Sequence, residues 1–204
     1  MNSLIPKPIL ALLIILCNLI PVYAVVVLDW KSFDLIFLYW LENLIIGLFM
    51  VLRMLIRRYS GILEVIVSLY AIPFTAFHYT LFCIFHGIFI MVIFDQMKFG
   101  DNAPLDLFYV SVSMIKSGAM EMAVLGLVLV HLVDWIRDWF KSAQDVGDIV
   151  WSGYKRIMLT HFTIIACGYA LLIMENPDIG LLFLIAIKTI MDFHFYFRTG
   201  KSSS

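Results

Sequence analysis

At 204 residues, 63% hydrophobic and only 14% charged, the chain has too few charged groups to cover a water-soluble domain, which ordinarily carries about a quarter. Its 14 Lys and Arg nearly balance 15 Asp and Glu, and no basic stripe interleaves with aromatics, so nucleic-acid binding has no support. The cysteines, Cys17, Cys83 and Cys167, fall in separate apolar runs without paired spacing, so neither a disulfide framework nor a zinc finger is indicated.

With a mean hydropathy of +0.98, the chain divides into apolar runs of the length a bilayer demands, about 20 residues each. The first, 8–28, is too long for the core of a signal peptide and has no cleavage site, so it reads as a membrane span. The second covers 34–55. The stretch 61–72 is apolar but too short to cross; with Glu64 and Ser68 in it and Pro73 after it, it predicts a short interfacial or kinked helix leading into the third span, 73–94. Residues 105–115 predict a second short helix on the opposite surface. A fourth span over 118–138 and a fifth over 157–174 follow. Pro177, in the turn from Glu175 to Asp178, separates the fifth from a sixth over 179–197. No linker or repeat interrupts the chain, so residues 1–200 predict one all-α bundle of six transmembrane helices, with a disordered tail at 201–204.

Basic residues alternate between the connecting segments. Lys7, Arg53, Arg57, Arg58, Arg137, Lys141, Lys155, Arg156, Arg198 and Lys201 fall on one side, and Lys31, Lys98 and Lys116 on the other. The positive-inside rule then places both termini in the cytoplasm. Gly47, Gly87, Gly126 and Gly168, one in each of spans two to five, are expected to permit close helix approach. Most tryptophans fall near span ends, as interfacial anchors do.

Ionisable side chains at membrane depth are costly and by default functional. All five histidines lie in predicted spans, His78 and His86 in the third, His131 in the fourth, His161 in the fifth and His194 in the sixth, beside Glu42, Asn43, Asp134, Lys188 and Asp192. Counting about 1.5 Å per residue from the span ends sorts them into two layers. His78, His131, Asp134, His161, Asp192 and His194 fall in the cytoplasmic half; Glu42, Asn43, His86 and Lys188 lie near the midplane. His131 with Asp134 (i, i+3) and Lys188 with Asp192 (i, i+4) share helix faces. His78 and His86 stand about 80° and about 12 Å apart, too far to share one metal shell; His86 shares its face with Tyr79. His194 points nearly opposite to Asp192 and ranks below the others.

Imidazoles with one carboxylate suit zinc, iron or copper, so His78, His131 and His161 with Asp134 or Asp192 form a candidate metal site. A metal-activated water there would attack a lipid or other membrane-soluble substrate near the headgroups. Glu42 and Lys188 are the candidate catalytic pair, with Asn43, Tyr79 and His86 as further polar core. The plainer reading is that these groups satisfy one another across helices. On that reading Lys188 forms a salt bridge with Glu42 or Asp192, while a proton relay is its rival.

Four stretches, Tyr39 to Asn43 running on to Gly47, His78 and Tyr79 to His86 and Gly87, Tyr154 to Ile157 followed by His161, and Leu184 to Thr189 with Asp192, resemble a bacterial integral-membrane family, domain of unknown function 6498. The resemblance runs roughly from the second span to the end. It implies a multi-pass protein of the bacterial inner membrane and marks Glu42, Asn43, His78, His86, His161, Lys188 and Asp192 as its characteristic positions, without supplying a reaction. The histidine boxes of desaturases, the GxSG of rhomboid proteases and the HExxH of site-2 proteases are all missing from the sequence. Three functions stay open: a metal-dependent hydrolase-like membrane enzyme, a small proton or metal-ion transporter, and a non-catalytic scaffold.

Overall fold

A computed structural model describes residues 7–57, 59, 61–94, 103–116, 118–139, 145–155, 157–158, 162 and 185–190. All regular structure among them is helical: α1 (Lys7–Val27), α2 (Ser32–Ile56), α3 (Ile62–Ile93), α4 (Ala103–Ile115), α5 (Ala119–Trp139), α6 (146–155) and α7 (185–190). Of these, α2, α3 and α5 are long and apolar enough to cross a membrane. Most of the fifth and sixth predicted spans, the turn between them and the tail lie outside the described residues.

Local chemistry sets the helix boundaries. The chain leaves α1 through Asp29, which takes the left-handed conformation (φ 53°) that Asp tolerates better than most residues. There the Leu28 and Trp30 amides both close on the Ala24 carbonyl. At the start of α2 the Asp34 carboxylate, in the first turn, accepts from the Lys31 amide at 2.9 Å, satisfying a donor that would otherwise be orphaned.

One expectation changes and another holds. The lead-in before the third span is not a separate helix: residues 62–93 form one continuous α3 of 32 residues with Pro73 inside it. A proline deletes one main-chain hydrogen bond, which costs less than ending a helix whose other groups are all paired. At about 48 Å, α3 exceeds a hydrocarbon core by about three turns. The second short helix is present as α4; its 13 residues span about 20 Å, too little to cross.

The core is organised around α2, whose Leu35, Phe37 and Met54 are fully buried, with α3 on one side and α5 on another. Polar contacts give the directions. Along α2 and α3 the pairs are Trp40 with Cys83, Asn43 with Tyr79, and Arg57 with Glu64; one number rises as the other falls, so the helices are antiparallel. Along α2 and α5, Glu42 meets His131 while Arg53 meets Asp134, so these two run parallel. Helix α1 packs on α5, and α4 on α3 and α5. The outer face of α3, with Ile66, Tyr70, Phe74, Phe77 and Phe85 all more than half exposed, is far more apolar than a water-facing surface.

Two matching contacts lock α2 to α3. The Trp40 indole N–H donates to the Cys83 carbonyl at 2.9 Å, and the Tyr79 hydroxyl donates to the Asn43 carbonyl at 2.9 Å. In each case the residue four positions on from the accepting carbonyl is glycine, Gly87 after Cys83 and Gly47 after Asn43. A helical carbonyl points toward residue i+4. A side chain there would cover it, whereas glycine leaves a notch for the ring. A Cβ on Gly47 would collide with the Tyr79 ring, and one on Gly87 with Trp40.

Gly47→Ala and Gly87→Ala are therefore expected each to destabilise the protein by about 1–3 kcal/mol. Nothing lies within 4 Å of a Cβ at Gly61, and Gly61→Ala is expected to stay within about 0.5 kcal/mol of wild type. Thermal unfolding in detergent compares the three; a Gly47→Ala protein as stable as Gly61→Ala would contradict the notch.

Candidate functional site

Helix α2 carries Glu42, the most buried Asp, Glu, Lys, Arg or His among the described residues, 2% exposed and ten residues into the helix. Its carboxylate takes the Lys188 ammonium of α7 at 2.7 and 2.9 Å through its two oxygens. His131 of α5 brings Nε2 to 3.6 Å from Glu42 Oε1. All three side chains are 3–6% exposed. Aromatic rings close the site: Lys188 Nζ lies 5.3 Å from the Tyr39 ring centroid, a cation–π distance, and the His131 ring stacks on Phe49 at 6.1 Å. Ile185, buried one turn before Lys188, anchors α7 in the same cluster as Tyr39 and Leu41.

The pairing of Lys188 follows from its charge, since a buried ammonium needs a counter-ion and Glu42 was one of the two available. The position of His131 does not follow from counting depth. Expected in the cytoplasmic layer with His78 and Asp134, it joins Glu42 and Lys188 instead.

Asp134, one turn further along α5, holds two guanidinium groups, Arg53 of α2 at 2.8 Å and Arg137 of its own helix. All three side chains are partly screened, at 13–25% exposure. A carboxylate so occupied offers a metal only oxygens already committed to cations. His78 sits on the exposed face of α3, stacked on Phe74, with Nδ1 at 2.7 Å from the Tyr154 hydroxyl of α6. Burial pushes the Tyr154 phenol above its ordinary value, so this hydroxyl keeps its proton to donate wherever Nδ1 carries none.

The structure thus gives His78, His131 and Asp134 three different sets of partners. Among the described residues no group of three or more His, Cys, Asp and Glu is arranged to hold a metal ion. His161, Asp192 and His194 lie outside the described residues. Tyr79 and Asn43 belong to the α2–α3 clasp rather than to the Glu42 site, and His86 stacks on Phe82 one turn away.

Sequence reasoning missed the roles of Arg53, Arg57, Arg137 and Tyr154. The i, i+3 spacing of Asp134 and Arg137 was a usable signal. Nothing local connects Arg53 to Asp134 or Tyr154 to His78.

Removing one member of a buried ion pair strands the other's charge. Lys188→Met and Glu42→Gln are each expected to cost about 3 kcal/mol, and the double variant less than the sum of the two. Unfolding in mixed micelles across the four proteins measures the coupling; strictly additive losses would mean that the two groups do not interact.

No curated protein and no solved structure matches the chain. The family of unknown function DUF6498 matches it over residues 3–203, a span that includes the clasp, both arginine pairs of Asp134 and every member of the Glu42 site. On that match the chain belongs to the DUF6498 family.

Proposed function

We propose that this chain is a six-span protein of the bacterial inner membrane, with both ends in the cytoplasm, that moves protons across the bilayer through the Glu42–Lys188–His131 centre. The observation that carries the reading is the third member. A structural ion pair is complete with Glu42 and Lys188, yet His131 Nε2 also stands at 3.6 Å from the same carboxylate, deep among apolar side chains. Glutamate and histidine can each take up a proton, and a carboxylate held between an ammonium and an imidazole can exchange one with the imidazole. The ammonium also argues against metal ions as cargo at this point, because it repels an approaching cation.

Two observations support the topology. Helix α4 is too short to cross, so one crossing, α3, separates α2 from α5, and two spans separated by one crossing run parallel, as α2 and α5 do. Ten Lys and Arg against three, counted between alternate loops, orient that arrangement with both termini inside.

Proteoliposomes holding a pH-sensitive dye provide the test. Wild type is expected to dissipate an imposed pH gradient, and Glu42→Gln and His131→Gln to slow this at least about tenfold, the scale on which removing a relay group acts. If both variants match the wild-type rate while unfolding at lower temperature, the centre is structural glue and the transport reading fails.

A further inference from the structure

The middle of α3 turns a polar group to the outside of the bundle. His78 follows Ile62 by 16 residues and precedes Ile93 by 15, which puts it about 24 Å and about 22 Å from the two ends of the helix. Its neighbour Tyr79 bonds the carbonyl of Asn43, the twelfth of the 25 residues of α2, so the middles of the two helices coincide. His78 therefore lies at the height of the Glu42 centre. Counting from a span start at residue 73 places it nearer the cytoplasm, because α3 begins a further 11 residues back. At this depth its side chain is exposed, and so is its bond to Tyr154. A hydrocarbon region reaching about 15 Å to either side leaves no water or headgroup within range of it.

The Tyr154 contact decides which imidazole nitrogen carries hydrogen. A phenol has one hydrogen to donate and a neutral imidazole has one. With Tyr154 donating to Nδ1 over 2.7 Å, the imidazole hydrogen sits on Nε2. The reverse assignment strands the phenol hydrogen, since the described residues give Tyr154 no other hydrogen bond. Nε2–H is then a donor on the ring edge away from Tyr154, without an acceptor among the described residues and among acyl chains that supply none.

The same face of α3 selects the kind of acceptor. The rings of Tyr70, Phe74 and His78 follow one another at four-residue intervals, with centroids 5.9 and 5.7 Å apart and planes within 13° and 6° of parallel. Tyr70 and Phe74 are both more than half exposed, so together they offer a flat face to a conjugated ring. Beyond His78, exposed Leu81 and Phe85 continue the strip as an apolar track. An acceptor at mid-bilayer cannot come from a phospholipid, whose ester carbonyls are tied to the interface. It must belong to a molecule dissolved wholly among the tails. We propose that this face of α3, separate from the Glu42 centre, binds a membrane-soluble quinone, one carbonyl accepting from His78 Nε2–H, the ring against Phe74 and the tail along Leu81 and Phe85. Tyr154 is a positioning residue that fixes the His78 tautomer.

Native mass spectrometry of the full chain released from lipid nanodiscs, titrated with decylubiquinone and with decylbenzene, tests this, because decylbenzene keeps a ring and a tail but has no acceptor. Wild type is expected to bind decylubiquinone about tenfold more tightly than decylbenzene, the scale of one hydrogen bond made away from water. His78→Phe keeps a ring in an exposed position, so it is expected to fold and to lose that preference. Tyr154→Phe is expected to weaken decylubiquinone several-fold and leave decylbenzene unchanged, because either nitrogen can then carry the hydrogen; an unchanged preference there overturns the positioning role. Equal binding of the two probes by wild type, or an unaltered preference in His78→Phe, overturns the site. A wild-type mass of two chains that falls to one in His78→Phe assigns the strip to a second copy and overturns the quinone.

Discussion

The structure depends on the register between α2 and α3, and two aromatic side chains fix it. An indole N–H and a phenol O–H, each on a residue no more than 4% exposed, need acceptors in an interior with no water to offer one. Every helical carbonyl is already engaged by its own helix, and most are covered by the side chain four residues on. The Cys83 and Asn43 carbonyls are reachable because glycine stands at positions 87 and 47. Each helix gives one ring and receives one, so sliding by a turn would break both bonds and drive both rings into side chains. In a bilayer, where lipid tails are as apolar as leucine and burial offers little drive for association, such contacts decide how helices meet.

With that register set, the charged groups sort by environment. Glu42 lies in the most enclosed part of the bundle and is matched by one ammonium, so the pair is neutral as a unit. Arg53, Asp134 and Arg137, at the end of α2 and α5, form a cluster of charges where side chains are 13–25% exposed and water can share the load. The gradient follows from Coulomb energy: a charge that is easily borne near water needs a close counter-charge in a dry interior. Glu64, 34% exposed, continues the partly screened tier at the turn into α3, while its partner Arg57 is 5% exposed.

The Glu42–Lys188 contact also joins residues 146 positions apart, fastening α7 to α2 and bringing the late part of the chain against the early core. An ion pair serving only that purpose would be complete with two members. The imidazole of His131 also stands against the same carboxylate, and it comes from α5, the helix parallel to α2. Three helices thus meet at one carboxylate, and the proposed proton transfer rests on that third member.

The sequence by itself determined an all-helical fold with runs long and apolar enough to cross a bilayer, because unbroken hydrophobic stretches of that length satisfy their backbone as helices, and it located the helices that became α1, α2, α4 and α5 nearly to the residue. It also singled out Glu42, Lys188 and His131, since charge and imidazole are conspicuous in apolar runs, and the need of a buried ammonium for a carboxylate narrowed the partner of Lys188 to two. It failed at Pro73, where proline reads locally as a boundary but one lost hydrogen bond does not end a helix anchored on both sides. It failed also at His131 and His78. Counting residues gives height along an axis and says nothing of which neighbour a side chain faces, so two histidines assigned to one layer acquired unrelated partners, Glu42 in the core and Tyr154 at the rim. Only the tertiary structure decided those pairings, together with Arg53 to Asp134 and the two aromatic-to-carbonyl bonds. They depend on the rotation of each helix about its axis, which is set by how whole faces pack and is written in no single segment.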